Sequence, residues 1–97
     1  MSLIIGAVLI SNKILVNQEM PAWMYRENPI APQDSGWRVF SGTEDDDYLE
    51  NPLNFKTISA DQLITIDDSL KANLLAPAGS YFEKDLSTSQ WVPIGKG

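Results

Sequence analysis

The sequence predicts an α+β domain, an antiparallel sheet with short helices in the second half of the chain, and three observations carry that reading. Aromatic and apolar residues alternate sides at period two in Ala22–Glu27 and Gly36–Phe40, the pattern of strands. Turn-forming pairs such as Asn28-Pro29, Ala31-Pro32 and Asn51-Pro52 break the chain into short pieces. Ser59 followed three residues later by Gln62 has the spacing of a helix-opening capping box. At 97 residues, 43% hydrophobic and with three tryptophans, the chain reads as one domain over 1–97 with a packed core.

Taken in order, Leu3–Ser11 and Lys13–Val16 read as a first hairpin turning at Ser11-Asn12-Lys13. Gly6 inside the first run marks a bulge or a close backbone approach. Met20-Pro21 opens the segment Ala22–Glu27, with Trp23 and Tyr25 on one face and Met24 and Arg26 on the other. In Gly36–Phe40, Trp37 and Val39 share one side and Arg38 and Phe40 the other. Arg26 and Arg38, both mid-strand, are expected to be cross-strand neighbours, ion-paired with Asp34 or with the acidic turn. Thr43 is the expected N-cap of a helical turn over Glu44–Glu50, stopped at Asn51-Pro52. Phe55–Ser59 is a strand, 60–66 a helix, Asp68–Leu75 a second helix ended by Ala76-Pro77, and Ser80–Lys84 with Gln90–Ile94 the closing strands.

Charge is concentrated rather than spread. The net charge is −6, yet with Glu44, Asp45, Asp46, Asp47 and Glu50 set aside, eight acids face seven bases, a balance of −1. A basic footprint for nucleic acid is missing, and the acidic patch repels phosphates. The apolar run Leu3–Ile10 falls well short of the ~20 residues of a membrane helix and has no charged leader, so neither a span nor a signal peptide is expected. The absence of cysteine fits a reducing, cytoplasmic setting and excludes a disulfide framework.

Catalytic equipment is sparse. Without histidine or cysteine the commonest general base, the thiol nucleophile and the usual zinc ligands are all missing. Asp34-Ser35-Gly36 matches the triplet of aspartic proteases, but Pro32-Gln33 precedes it where an apolar strand belongs and the bulky Trp37 follows. An Asx-type turn entering a strand accounts for it better. The expectation is a protein that is not an enzyme and uses no cofactor.

The acidic cluster has three readings. Carboxylates at a helix start complement its dipole, at about 0.3–1 kcal/mol each within one turn, which explains one or two acids but not five. A docking surface for a basic protein uses clustered charge to speed encounter, with Tyr48 and Leu49 as apolar anchors. A hard-cation site would need converging oxygens, and the spacing of Asp45, Asp47 and Leu49 does not fit an EF-hand loop. The tryptophans are expected in the core or on sheet faces, Trp37 being the one placed nearest an interface.

Met24-Tyr25-Arg26-Glu27, Asp34-Ser35-Gly36-Trp37-Arg38, Phe40-Ser41-Gly42 and the acids running into Tyr48 and Asn51-Pro52 resemble a bacterial family of small domains grouped among the immunity proteins of polymorphic toxin systems. The likeness continues in Ile66-Asp67-Asp68-Ser69-Leu70 and in Pro77–Glu83. It implies a non-enzymatic protein that binds and neutralises a cognate toxin. Many such toxins act on nucleic acids and are basic, which suits an acidic inhibitor that mimics phosphate charge. The implied partner surface is Glu44, Asp45, Asp46, Asp47, Tyr48 and Glu50, framed by Trp37 and Arg38. The alternatives are a divalent-cation-responsive regulatory domain using the same acids, and a domain of this family without a toxin partner.

Overall fold

β3 (Asp34–Phe40) runs through the interior of the sheet and meets β1 (Ala7–Ser11) on one edge and β2 (Trp23–Arg26) on the other. The computed structural model describes residues 6–85 and 87–94, so the Leu3–Ile5 part of the expected first strand lies outside the described residues. β4 (Phe55–Ser59), β5 (Tyr81–Asp85) and β6 (Gln90–Pro93) complete a six-stranded sheet among those residues, in the order β4-β1-β3-β2-β5-β6. The helices are α1 (Asn12–Leu15), α2 (Asp46–Glu50) and α3 (Ala60–Ile66), with 3-10 turns at Pro52–Asn54 and Asp68–Leu75. The Cα radius of gyration is 12.6 Å, matching the roughly 12.5 Å of one compact domain of this length.

The α+β class stands, with one correction: β1 and β3 run parallel, and only the other neighbouring pairs are antiparallel. The expected first hairpin does not form either. Both edges of β1 are taken, by β3 and β4, so a strand at Lys13–Val16 would have nothing to pair with. Ser11 instead caps α1, its Oγ accepting from Lys13 N–H at 3.2 Å, and α1 carries Ile14 into the core. The chain then returns through β2 before β3 inserts between β2 and β1.

One sheet face makes the core. Val8, Ile10, Met24, Trp37, Val39 and Ile58 point into it. Ala60 and Leu63 of α3, with Leu70 and Leu74 of the following 3-10 turn, cover them. Each fully buried Leu there contributes about 1.5–3 kcal/mol relative to exposure. Polar pins fix this layer. The Trp37 indole N–H donates to the Leu74 carbonyl at 3.3 Å, and Lys84 Nζ meets Asp67 Oδ2 at 2.6 Å. Trp91 Nε1 donates to Ser69 Oγ, which in turn donates to Asp67. Ser59 Oγ accepts from Gln62 N–H at 3.0 Å, as the capping spacing predicts.

Two glycines allow the backbone crossings that centre β3. A Cβ on Gly6 (φ +98°) would lie 2.6 Å from the Gln33 carbonyl oxygen, where Ala7 N–H donates at 2.7 Å to start the parallel ladder. This is the close approach expected at Gly6. At Gly36 (φ +89°) a Cβ would lie 2.1 Å from the Glu27 carbonyl oxygen, in backbone that cannot yield without opening the β2–β3 pair. Gly36→Ala should therefore lower stability by about 2–3 kcal/mol in urea unfolding, the sum of left-handed strain and the clash. A loss below about 0.5 kcal/mol would show that this crossing is not tight.

Candidate partner-binding face

The opposite face of the sheet carries a continuous aromatic patch. Period two along each strand places Trp23 and Tyr25 of β2, Phe40 of β3, Phe55 of β4 and Tyr81 of β5 on it. Trp23 lies 4.8 Å from Phe40 and 5.4 Å from Tyr25 between ring centroids, and Tyr25 stacks near-parallel with Tyr81 at 5.2 Å and with Phe40 at 5.8 Å. Phe55 meets Phe40 edge-on. Phe40 is buried by its neighbours; the other four stay half-exposed. Among the described residues α3 and the 68–75 turn cover the inner face, while α2 stands at the rim of the outer one. Leu49 and Glu50 of α2, with Pro52 and Leu9, close a groove of about 400 Å³ whose floor is Trp23, Tyr25 and Phe40 and whose charged lining is Glu27, Arg38 and Glu50.

Arg38 lies in the middle of this face, 6% exposed. Its guanidinium donates to both Asp34 oxygens at 2.9 and 3.0 Å, to Glu27 Oε2 at 2.8 Å and to the Trp37 carbonyl at 3.2 Å. The Arg38 hydrogen bonds hold the Asp34 carboxyl far below the usual carboxylate range against the opposing effect of burial, helped by the Gly36 and Ile30 amides. The same bonds, Asp34 first, raise the Arg38 pKa further. Burial, then the Glu27 charge, pushes the Tyr25 phenol up. Asp34 thus makes the Asx-type turn expected at Asp34-Ser35-Gly36, and Ser35 Oγ donates to the Ala7 carbonyl at 2.6 Å. Arg26 is not a neighbour of Arg38: the β2–β3 register pairs Arg38 with Tyr25 and Arg26 with Trp37, on opposite faces. Arg26 lies 5.7 Å from the Trp37 ring and donates to the Ser35 and Ala76 carbonyls.

The surface read from the sequence divides into parts. Trp37 is fully buried on the inner face and has no place at an interface, because its parity on β3 puts it under Leu74. Arg38 is on the outer face, but its donors are committed inside the fold. Glu44 folds back to accept from the Ser41 amide at 2.9 Å, the Ser41 hydroxyl at 3.0 Å and the Gly42 amide at 3.0 Å. Burial alone would raise its pKa; the hydroxyls of Ser11 and Ser41 and the Ser41 amide outweigh it and lower it. The N-cap of α2 is Asp45, not Thr43, with Oδ1 accepting from Tyr48 N–H at 2.8 Å. Tyr48 anchors α2, its ring 6.0 Å from Phe55 and under the Lys13 ammonium at 5.3 Å. Asp46, Asp47 and Glu50 are exposed, and their carboxylates make no hydrogen bond or ion pair among the described residues. No group of three or more carboxylates gathers there in a metal-holding arrangement among those residues.

Trp23, Tyr25, Phe40 and Phe55 were not singled out by sequence, although their signal is present. Aromatic residues occur on both faces of the β2–β3 pair, Trp37 on one and Trp23, Tyr25 and Phe40 on the other, and two short helical segments suffice to cover one.

These features define a small α+β domain with one packed and one open sheet face; no described helix is long and apolar enough to cross a membrane. Residues 8–95 match the model of the immunity protein Imm33 domain, and the chain belongs to that family, in agreement with the resemblance read from the sequence. Neither a curated protein nor a solved structure matches the chain.

The Asp34 carboxyl gives a signed pH dependence. Its folded pKa is depressed, so its contribution is complete above the unfolded value of about 3.9 and is lost as pH falls from there toward the folded value. The urea midpoint should hold from pH 7 to 5 and drop below pH 4. Asp34→Asn, which leaves Arg38 with Glu27 alone, should cost about 3 kcal/mol at pH 7 and flatten the acid limb. An unchanged acid limb in the variant would remove Asp34 from this role.

Proposed function

We propose that this protein is a cytoplasmic, non-enzymatic immunity-type protein that neutralises a cognate toxin by docking it against the outer sheet face, with the acids of α2 drawing in a basic toxin domain. The observation that carries the reading is the division of the acidic cluster. Glu44 and Asp45 are used by the fold, while Asp46, Asp47 and Glu50 face solvent beside an aromatic groove, in a member of an immunity-protein family. Charges placed like this raise association rates above the neutral ~10⁵–10⁶ M⁻¹s⁻¹ and add less to the lifetime of the complex. Half-exposed Trp and Tyr beside them supply the anchors that dominate binding energy at interfaces.

The test begins with affinity capture from the native host's lysate. The captured protein should be basic, should arrest growth when expressed alone, and should be harmless when co-expressed with this chain. Capturing no such protein would remove the toxin-neutralising role. With the partner in hand, Asp46→Asn/Asp47→Asn should slow association about fivefold at low salt and leave dissociation nearly unchanged, the difference closing near 0.5 M salt. A rate loss that persists at high salt would mean that these acids act by direct contact and not by steering.

A further inference from the structure

Resting on the immunity reading, we propose that the groove between β2, β3 and α2 receives a basic side chain of the partner, a guanidinium above all. Three properties of the groove select this guest. Its floor is aromatic: the ring centroids of Trp23, Tyr25 and Phe40 lie within 5.8 Å of one another. An aromatic lining suits the apolar stem of an arginine and its weakly hydrated, planar head.

The charged lining points the same way. Glu27 and Glu50 stand against the single cation Arg38. That cation is already offset by Asp34 and by Glu27, and four of its five N–H donors are used inside the fold, so an incoming anion finds little to bind. Glu27 lines the groove, meets Arg38 through Oε2, and keeps its side chain 50% exposed. The Glu50 carboxylate makes no hydrogen bond or ion pair among the described residues.

The energetics exclude the simplest competitor. A purely apolar knob would strip water from Glu27 and Glu50 and give nothing back, an unfavourable exchange for a charged group. A guanidinium restores those hydrogen bonds in bidentate form while its flat face contacts the rings. Asp46 and Asp47, in the first turn of α2, extend the same negative field beyond the groove mouth. The guest is therefore a basic residue of the toxin entering from the α2 side.

The groove can be tested without the toxin. The full chain, labelled with ¹⁵N, is titrated with N-acetyl-argininamide and, separately, with its neutral isostere N-acetyl-citrullinamide at constant ionic strength. The arginine compound should shift the Trp23 indole and the Tyr25 and Phe40 amides saturably in the millimolar range, leaving the Trp37 and Trp91 indoles in place. The citrulline compound should not. Glu50→Gln should weaken binding about two- to fivefold, as expected for an exposed charge pair. Tyr25→Leu should weaken it further; if that variant does not fold, Glu50→Gln still decides. Equal shifts with the two compounds, or none with either, would overturn the proposal. Saturable guanidinium binding with no toxin captured from the host would instead sink the immunity reading, and a captured toxin with a silent groove would sink this one.

Discussion

A guanidinium buried in the middle of a sheet face must have its charge paired or it unfolds the face around it, and Arg38 meets that condition with two carboxylates. Asp34, four residues earlier on β3, grips it with both oxygens, and Glu27, just past β2, takes its Nε–H. The pairing joins the ends of the β2–β3 connection, because Asp34 also accepts from the Ile30 amide within it. It fixes the register that sets Tyr25 opposite Arg38 and Trp23 opposite Phe40, and so it assembles the aromatic patch. Breaking one arm of such a pair is costly because the surviving charge stays buried. With one cation held by two carboxylates, the finished face is also left on the negative side.

The second constraint is helical cover. Among the described residues one helical layer, α3 with the 68–75 turn, covers one face of a six-stranded sheet. Among the described residues the other face is closed only at its rim, by α2. Trp23, Tyr25 and Phe55 stay partly exposed on that face, where the proposed partner would shield them from water. The acids at 44–50 then have distinct duties: Glu44 and Asp45 shape the turn, and the remainder present charge outward.

Local punctuation made much of the fold legible. Asn51-Pro52, the Ser59 cap and Ala76-Pro77 placed β4, α3 and the 68–75 turn to within about a residue, and the closing strands were found nearly as well. What failed was non-local. A short run such as Lys13–Val16, three apolar residues after a lysine, cannot distinguish helix from strand, and Ser11 reads equally as turn or cap until both edges of β1 are known to be filled. Nothing near Ala7 or Asp34 announces that they run parallel. In the candidate site, alternation separated Trp37 from Arg38 and Phe40, but which face the helices cover is a tertiary fact, and it placed Trp37 inside. Arg26 and Arg38 were read as neighbours because their register depends on pairing Tyr25 with Arg38. The acids were conspicuous; that Glu44 turns back onto Ser41 and Gly42 was not, since backbone folding decides it.

The three tryptophans mark three places: Trp23 on the outer face, Trp37 in the core and Trp91 at the far edge on β6. The most direct test of the outer face as the binding face is ¹⁹F NMR of the 5-fluorotryptophan-labelled chain, free and bound to the partner captured from its host, with a soluble paramagnetic quencher present. If the face is as described, the Trp23 resonance moves on binding and escapes quenching, Trp37 stays unquenched throughout, and Trp91 remains as accessible as before. An unmoved, still-quenched Trp23 in a saturated complex would contradict it and place the partner elsewhere.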